Sequence, residues 1–140
     1  MREHMGIDLP ETHPLAHSSK ISRKDIEQYS FISLRPDCSL YKIISHFCKK
    51  ASFQPNISTY VDSPALMREL LKMEFGTAFV PKYTWSALFG DGLIYREIDD
   101  MPMERFVHLA ANEKKYSSEA VKSCRDTIMK YFSEYARKFL

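Results

Sequence analysis

Net charge, long apolar runs, glycine and paired cysteines are all scarce in this chain, and each scarcity removes a class of function. The 20 Lys and Arg stand against 18 Asp and Glu, a formal net charge of +2. That is far from the basic surplus that dominates affinity for nucleic acid, so the chain by itself is not expected to bind DNA. No uninterrupted apolar run approaches the roughly 20 residues of a membrane span, and no apolar leader segment follows Met1. The three cysteines, Cys38, Cys48 and Cys124, are odd in number and widely spaced, which fits reduced thiols better than a disulfide framework. Together these features point to the cytoplasm, with no membrane partner. Only 4 glycines occur, and none builds a G-x-G-x-x-G turn, a P-loop or a G-x-S-x-G elbow. His46 and Cys48 lie two apart on a helix and so face different ways, and the remaining histidines fall at no metal-ligand spacing. The expectation is no catalytic residue, no metal, no cofactor, and hence no enzyme.

What the chain does have is enough material for one globular domain: 140 residues, 44% apolar and 27% charged. The alternation of Met5, Ile7 and Leu9 with Gly6 and Asp8 reads as an entry strand ended by Pro10. A short helical turn is expected at 23–28 and a strand at 31–34. Leu40, Ile43, Ile44, Phe47, Cys48 and Ala51 fall at i, i+3, i+4, i+7, i+8 and i+11, a stripe only a helix makes continuous. A strand follows at 56–61, then a helix capped by Asp62 or Ser63 with Pro64 at its first position. Gly76 stands where a left-handed residue would stop that helix. Residues 77–80 read as a buried strand, 82–89 as a short helix, 93–98 and 106–111 as further strands. Ser117 or Ser118 caps a long final helix with Val121, Cys124, Ile128, Phe132, Tyr135 and Phe139 along one face. Strands alternating with helices imply an α/β fold with a mostly parallel sheet covered by helices on both faces.

In their order and spacing, HPLA at 13–16, IEQYSFISL at 26–34, the Arg35–Pro36–Asp37–Cys38 loop opening a helix, and DSPALMRELLKMEFGTAFVP at 62–81 resemble the effector-binding domain of LysR-type transcriptional regulators. The resemblance covers about residues 7–140. It implies a periplasmic-binding-protein-like fold in which a small molecule, read as anionic, sits in the cleft between two α/β subdomains of a homo-oligomer. It further implies that residues 1–113 are the second subdomain. Residues 114–140 would form a C-terminal helix that packs on the first subdomain. DNA would be bound only through a helix-turn-helix domain upstream of Met1. The family often carries G-x-G before its buried strand, where this chain has Glu74, Phe75 and Gly76, and often a glycine near Ser39.

The loop 35–39 follows a strand and opens a helix, which in an open α/β sheet is the crevice side. Helix starts at 37–41 and 63–66 offer free N–H groups and a partial positive charge to an anion. By resemblance Asp37, Cys38 and Ser39 are effector-loop positions, with Arg35 beside them and Ser63, Thr77 and Pro81 on or near the same cleft wall. The plainer alternatives are that Ser39 and Ser63 are only caps, Asp37 a turn former and Cys38 a small wall residue. Two other functions remain open at this point: a periplasmic-type solute-binding protein, or a small thiol enzyme built on Cys38.

Overall fold

The computed structural model describes residues 1–87, 89–111 and 118–139, with side chains described as far as Tyr135. The chain forms two units, Glu3–Arg105 and a smaller one of Met1–Arg2 with the segment from Phe106 onward. The boundary expected at 113/114 lies outside the described residues.

Six strands and four helices occur among the described residues: β1 (Arg2–Pro10), α1 (Arg23–Ile26), β2 (Ser30–Leu34), α2 (Ser39–Lys50), β3 (Asn56–Val61), α3 (Pro64–Lys72), β4 (Ala78–Pro81), β5 (Leu93–Arg96), β6 (Met103–Phe106) and α4 (Glu119–Phe139). β1 is buried without a break from Met5 to Pro10, because it is the centre of its sheet, flanked by β4 and β5 and also paired with β6. It runs antiparallel to both neighbours, with Ile7 opposite Phe79 on one side and Arg96 on the other. β2 and β3 pair in parallel, and an extra residue, Ser58, makes a bulge at Phe31/Ile32. A parallel bridge between Phe31 and Thr77 stitches the two sheets together. There Thr77 N–H donates to Ser30 O at 2.9 Å and Ile32 N–H to Thr77 O at 2.8 Å.

β3, β2, β4 and β5 therefore point one way. The sheet is mixed because β1 runs antiparallel to β4 and β5. The core is aromatic at its centre, with Phe31 stacked on Phe79 at 4.9 Å and Phe53 edge-on to both. Burying each such ring is worth roughly 1.5–3 kcal/mol.

Both long helices of this unit end on the same device. After α2, Ser52 is left-handed (φ 52°); its N–H bonds Lys49 O at 3.0 Å and Phe53 N–H bonds Cys48 O at 2.9 Å. After α3 the left-handed residue is Glu74 (φ 63°), not Gly76. Glu74 N–H bonds Leu71 O and Phe75 N–H bonds Leu70 O, which is the Schellman pairing. Gly76 is required for a different reason: a Cβ there would stand 2.6 Å from Ser30 O, where the backbone passes against β2.

Two further expectations are corrected. Residues 82–87 make turns and no helix, because the fully buried Glu3 carboxylate takes the N–H groups of Tyr83 (2.9 Å) and Thr84 (2.6 Å). The last strand is Met103–Phe106 rather than 106–111. Beyond it one extended pairing persists in the smaller unit, where Met1 and Val107 exchange two backbone bonds of 2.8 Å. In α4, Ser118 Oγ accepts Val121 N–H at 3.4 Å; Ser117 lies outside the described residues. Val121 and Cys124 are exposed, while Ile128, Phe132 and Tyr135 are half-buried; the Phe139 side chain lies outside the described ones.

Candidate functional site

The crevice lies where the parallel strands β2 and β3 end. Leu34 closes β2, and Arg35 N–H reaches across to Val61 O, the last residue of β3, at 3.1 Å. The chain then turns, with Cys38 N–H donating to Arg35 O at 3.0 Å, and Lys42 N–H bonds Cys38 O at 3.3 Å to open α2. Pro36 fixes one backbone torsion of this turn, and Asp37 suits its next position. Leu34, Arg35, Asp37, Cys38, Val61 and Asp62 together line a cavity of about 390 Å³.

The two helix starts differ. Ser63 caps α3, its Oγ accepting Leu66 N–H at 3.2 Å. Cys38, the cap position of α2, makes no side-chain cap bond. The first-turn amides of α2, from Ser39 onward, are thus left to an outside acceptor, and they carry the positive end of the helix dipole. Arg35 adds a full charge, drawn toward Asp37 by a 3.5 Å ion pair between side chains that are 64% and 76% exposed. Solvent makes so exposed a pair weak, so the guanidinium is available to a ligand.

Of the sequence-predicted residues, the structure brings Arg35, Asp37 and Cys38 into one cavity, with Ser39 exposed at the start of α2 and Ser63 next to Asp62. Thr77 is elsewhere. It is 1% exposed and sits at the opposite end of β2, lining a different cavity with Thr12, His13 and Glu74. Pro81 closes β4 opposite Met5, buried and not among the residues of the crevice. Asp62 is the lining residue that the sequence marked only as a possible cap. The carboxylates that follow β5 are structural ties: Asp99 accepts Ile21 N–H at 2.7 Å, Asp100 holds Arg23 at 3.0 Å, and Glu97 holds Lys82 at 2.8 Å. Among the described residues no group of three or more His, Cys, Asp or Glu is placed to hold a metal ion, and no helix is long and apolar enough to cross a membrane.

An open α/β unit with an uncapped helix start and an arginine at the carboxyl ends of its strands is the form of a small-ligand-binding subdomain. The family model described as the LysR substrate binding domain matches residues 1–133, and the chain belongs to that family. Among curated relatives, the HTH-type transcriptional regulator AlsR of Bacillus subtilis is 28% identical over 99 residues, 69% of this chain and 32% of the relative. A probable RuBisCO transcriptional regulator of Cyanophora paradoxa is 22% identical over 94% of this chain and 42% of its own length. The chain thus spans well under half of these relatives. Among solved structures, the effector-binding domain of QuiR in complex with shikimate superposes with a TM-score of 0.77 at 26% identity, covering 95% of this chain and 63% of that one. The regulatory domain of Synechocystis CcmR in complex with 2-PG gives the same TM-score at 14% identity, covering 94% and 64%, a likeness of fold alone. The fold is accordingly the periplasmic-binding-protein-like α/β arrangement of LysR effector-binding domains, a family of regulators and not of enzymes.

Proposed function

We propose that this chain is the second subdomain of the sensing region of a LysR-type regulator, and that it holds one wall of the pocket for a small anionic effector. The observation that carries the reading is the α2 start: free first-turn amides, no side-chain cap, and Arg35 beside them. An anion there would collect charge-assisted hydrogen bonds from the amides of 39–41 and from the guanidinium. Asp37 and Asp62 would accept from hydroxyl groups, so a hydroxylated carboxylate of the shikimate kind suits the wall better than a bare anion. Ser63, Thr77 and Pro81 take a lesser part, the first by fixing α3, the other two by holding the strands. Effector binding would act by favouring one arrangement of two subdomains over another, since a ligand shifts an equilibrium only through differential affinity. The remaining elements of the proposal are that α4 packs on the first subdomain, that the regulator is a homo-oligomer working in the cytoplasm, that it performs no catalysis, and that DNA is contacted through a separate helix-turn-helix domain.

The test is a titration with shikimate and a set of small hydroxylated and plain carboxylates, comparing the native chain with Arg35→Ala. The proposal expects weak, saturable binding of at least one carboxylate and a loss of about tenfold in the variant, the size of one charge-assisted contact. Equal affinity in the two proteins would contradict it.

A further inference from the structure

Two stretches that stand out in the sequence, HPLA at 13–16 and Glu74–Phe75–Gly76, take no part in the crevice. Far apart in the chain, they meet at the opposite end of β2, where His13, Tyr29, Glu74, Phe75 and Thr77 line a cavity of about 420 Å³. That volume lies in the range of about 300–1,000 Å³ typical of small-ligand sites. The His13 ring is neutral: its Nδ1 accepts Leu15 N–H at 3.1 Å, and burial lowers its pKa below the ordinary 6.5 even though Glu74 opposes the shift. Glu74 is therefore the charged group of the described lining. Its Oε1 accepts the Thr12 hydroxyl at 2.6 Å. The cations of α3 are engaged elsewhere, Arg68 with Glu69 at 2.6 Å and Lys72 with Asp91 at 3.7 Å, so the carboxylate has no ion-pair partner among the described residues. It is also kept there against the backbone, because Glu74 is left-handed at φ 63°, a conformation that glycine adopts freely and a side chain only at a penalty. Beside it Phe75 is 57% exposed, and the half-buried Tyr29 is held by the His13 ring, edge-on at 4.4 Å.

We infer that this cavity is a second ligand site, for a small organic ammonium ion held by the Glu74 carboxylate and the Tyr29 and Phe75 rings. The faces of aromatic rings attract a cation through their quadrupoles, and the carboxylate adds a full opposite charge. The same carboxylate repels an anion, so the site does not compete with the crevice for its effector. Ser30 and Thr77 of the wall belong to the joint where Thr77 bonds Ser30 and Ile32, and an occupant therefore braces β2 against β4. The inference stands whether or not the crevice binds an effector.

The experiment uses the whole chain and two probes of equal shape, choline and its neutral isostere 3,3-dimethylbutan-1-ol, followed by amide NMR. Saturable shifts at Tyr29, Phe75, Gly76 and Thr77 are expected with choline, with binding of the neutral isostere weaker by about fivefold or more. Glu74→Gln should erase that preference, and Glu74→Gly serves if Glu74→Gln does not fold. Phe75→Ala should weaken choline binding about threefold. Glu69→Gln, which removes an α3 carboxylate outside the cavity, should leave the preference intact. Four results would overturn the inference: no saturable shift, equal binding of the two probes, a preference for choline that survives Glu74→Gln, or shifts confined to residues 35–41.

Discussion

Asp8 is the residue at which the fold works against its own charge. It lies in the central strand, 2% exposed, opposite Ala78 and Tyr95, and burial pushes its pKa up from 3.8 to about 7. The unfolded chain therefore releases this proton at lower pH than the folded chain does. Its contribution to stability is full below about pH 4, falls as pH rises toward 7, and stays lost above. A shift of that size corresponds to on the order of 4 kcal/mol. Asp8→Asn should stabilise the chain at pH 8 by roughly 2 kcal/mol or more and change little at pH 4; urea melts at both values check this. The turn at 74–76 gives a second residue-scale expectation. Gly76→Ala should cost about 2 kcal/mol or more, because its Cβ would press on Ser30 O. Glu74→Gly should be neutral or stabilising by up to about 1 kcal/mol, since it relieves a left-handed residue while losing only the 2.6 Å bond from Thr12. The sequence offered one glycine as the helix stop because glycine is the cheapest left-handed residue. The backbone instead spends its glycine where two strands approach and strains a glutamate.

At the scale of elements, legibility follows the range of the interactions that decide each one. β3 spans 56–61 as its β-branched run indicates, and α3 begins at Pro64 behind Ser63 as local capping rules require. The α2 stripe was legible for the same reason, and so was the loop at 35–38, since turn chemistry and helix start are written within five residues. The segment 82–87 was not legible. Its conformation is imposed by Glu3, some 80 residues earlier, through two backbone N–H bonds, the Thr84 hydroxyl and Arg105 at 2.8 Å. Nor could periodicity separate Thr77 from the crevice, because the end of β2 that it meets is fixed by sheet register. Removing Glu3 should expose that dependence: Glu3→Ala leaves Arg105, whose side chain is 18% exposed, without its counter-charge, and should cost about 3 kcal/mol. Hydrogen exchange at the Tyr83 and Thr84 amides should rise first, ahead of β2 and β3; uniform loss of protection would show that the tie is not local.

For the whole molecule, the account expects the apolar stripe of α4 to be an association surface. Val121 of the stripe is more than half exposed, as are Met129 and Tyr131 beside it, while Ile128 and Phe132 are only half-buried, and exposed apolar surface of this kind marks sites that bind something. At micromolar concentration the chain should sediment as a self-associated species, through its own α4 paired with a second copy, and Phe132→Glu should make it monomeric with the Glu3–Arg105 unit still folded. A monomer whose state is unchanged by deletion of 117–140 would contradict this. The central claim is that the crevice at the ends of β2 and β3 senses an anionic small molecule, and the most direct measurement is an amide chemical-shift map of the chain titrated with a hydroxylated carboxylate such as shikimate. The account predicts that the largest saturable shifts fall at 35–41 and 62–66, centred on the free amides of α2. Saturable shifts at the 90–92 turn, with the α2 start unmoved at full occupancy, would contradict it.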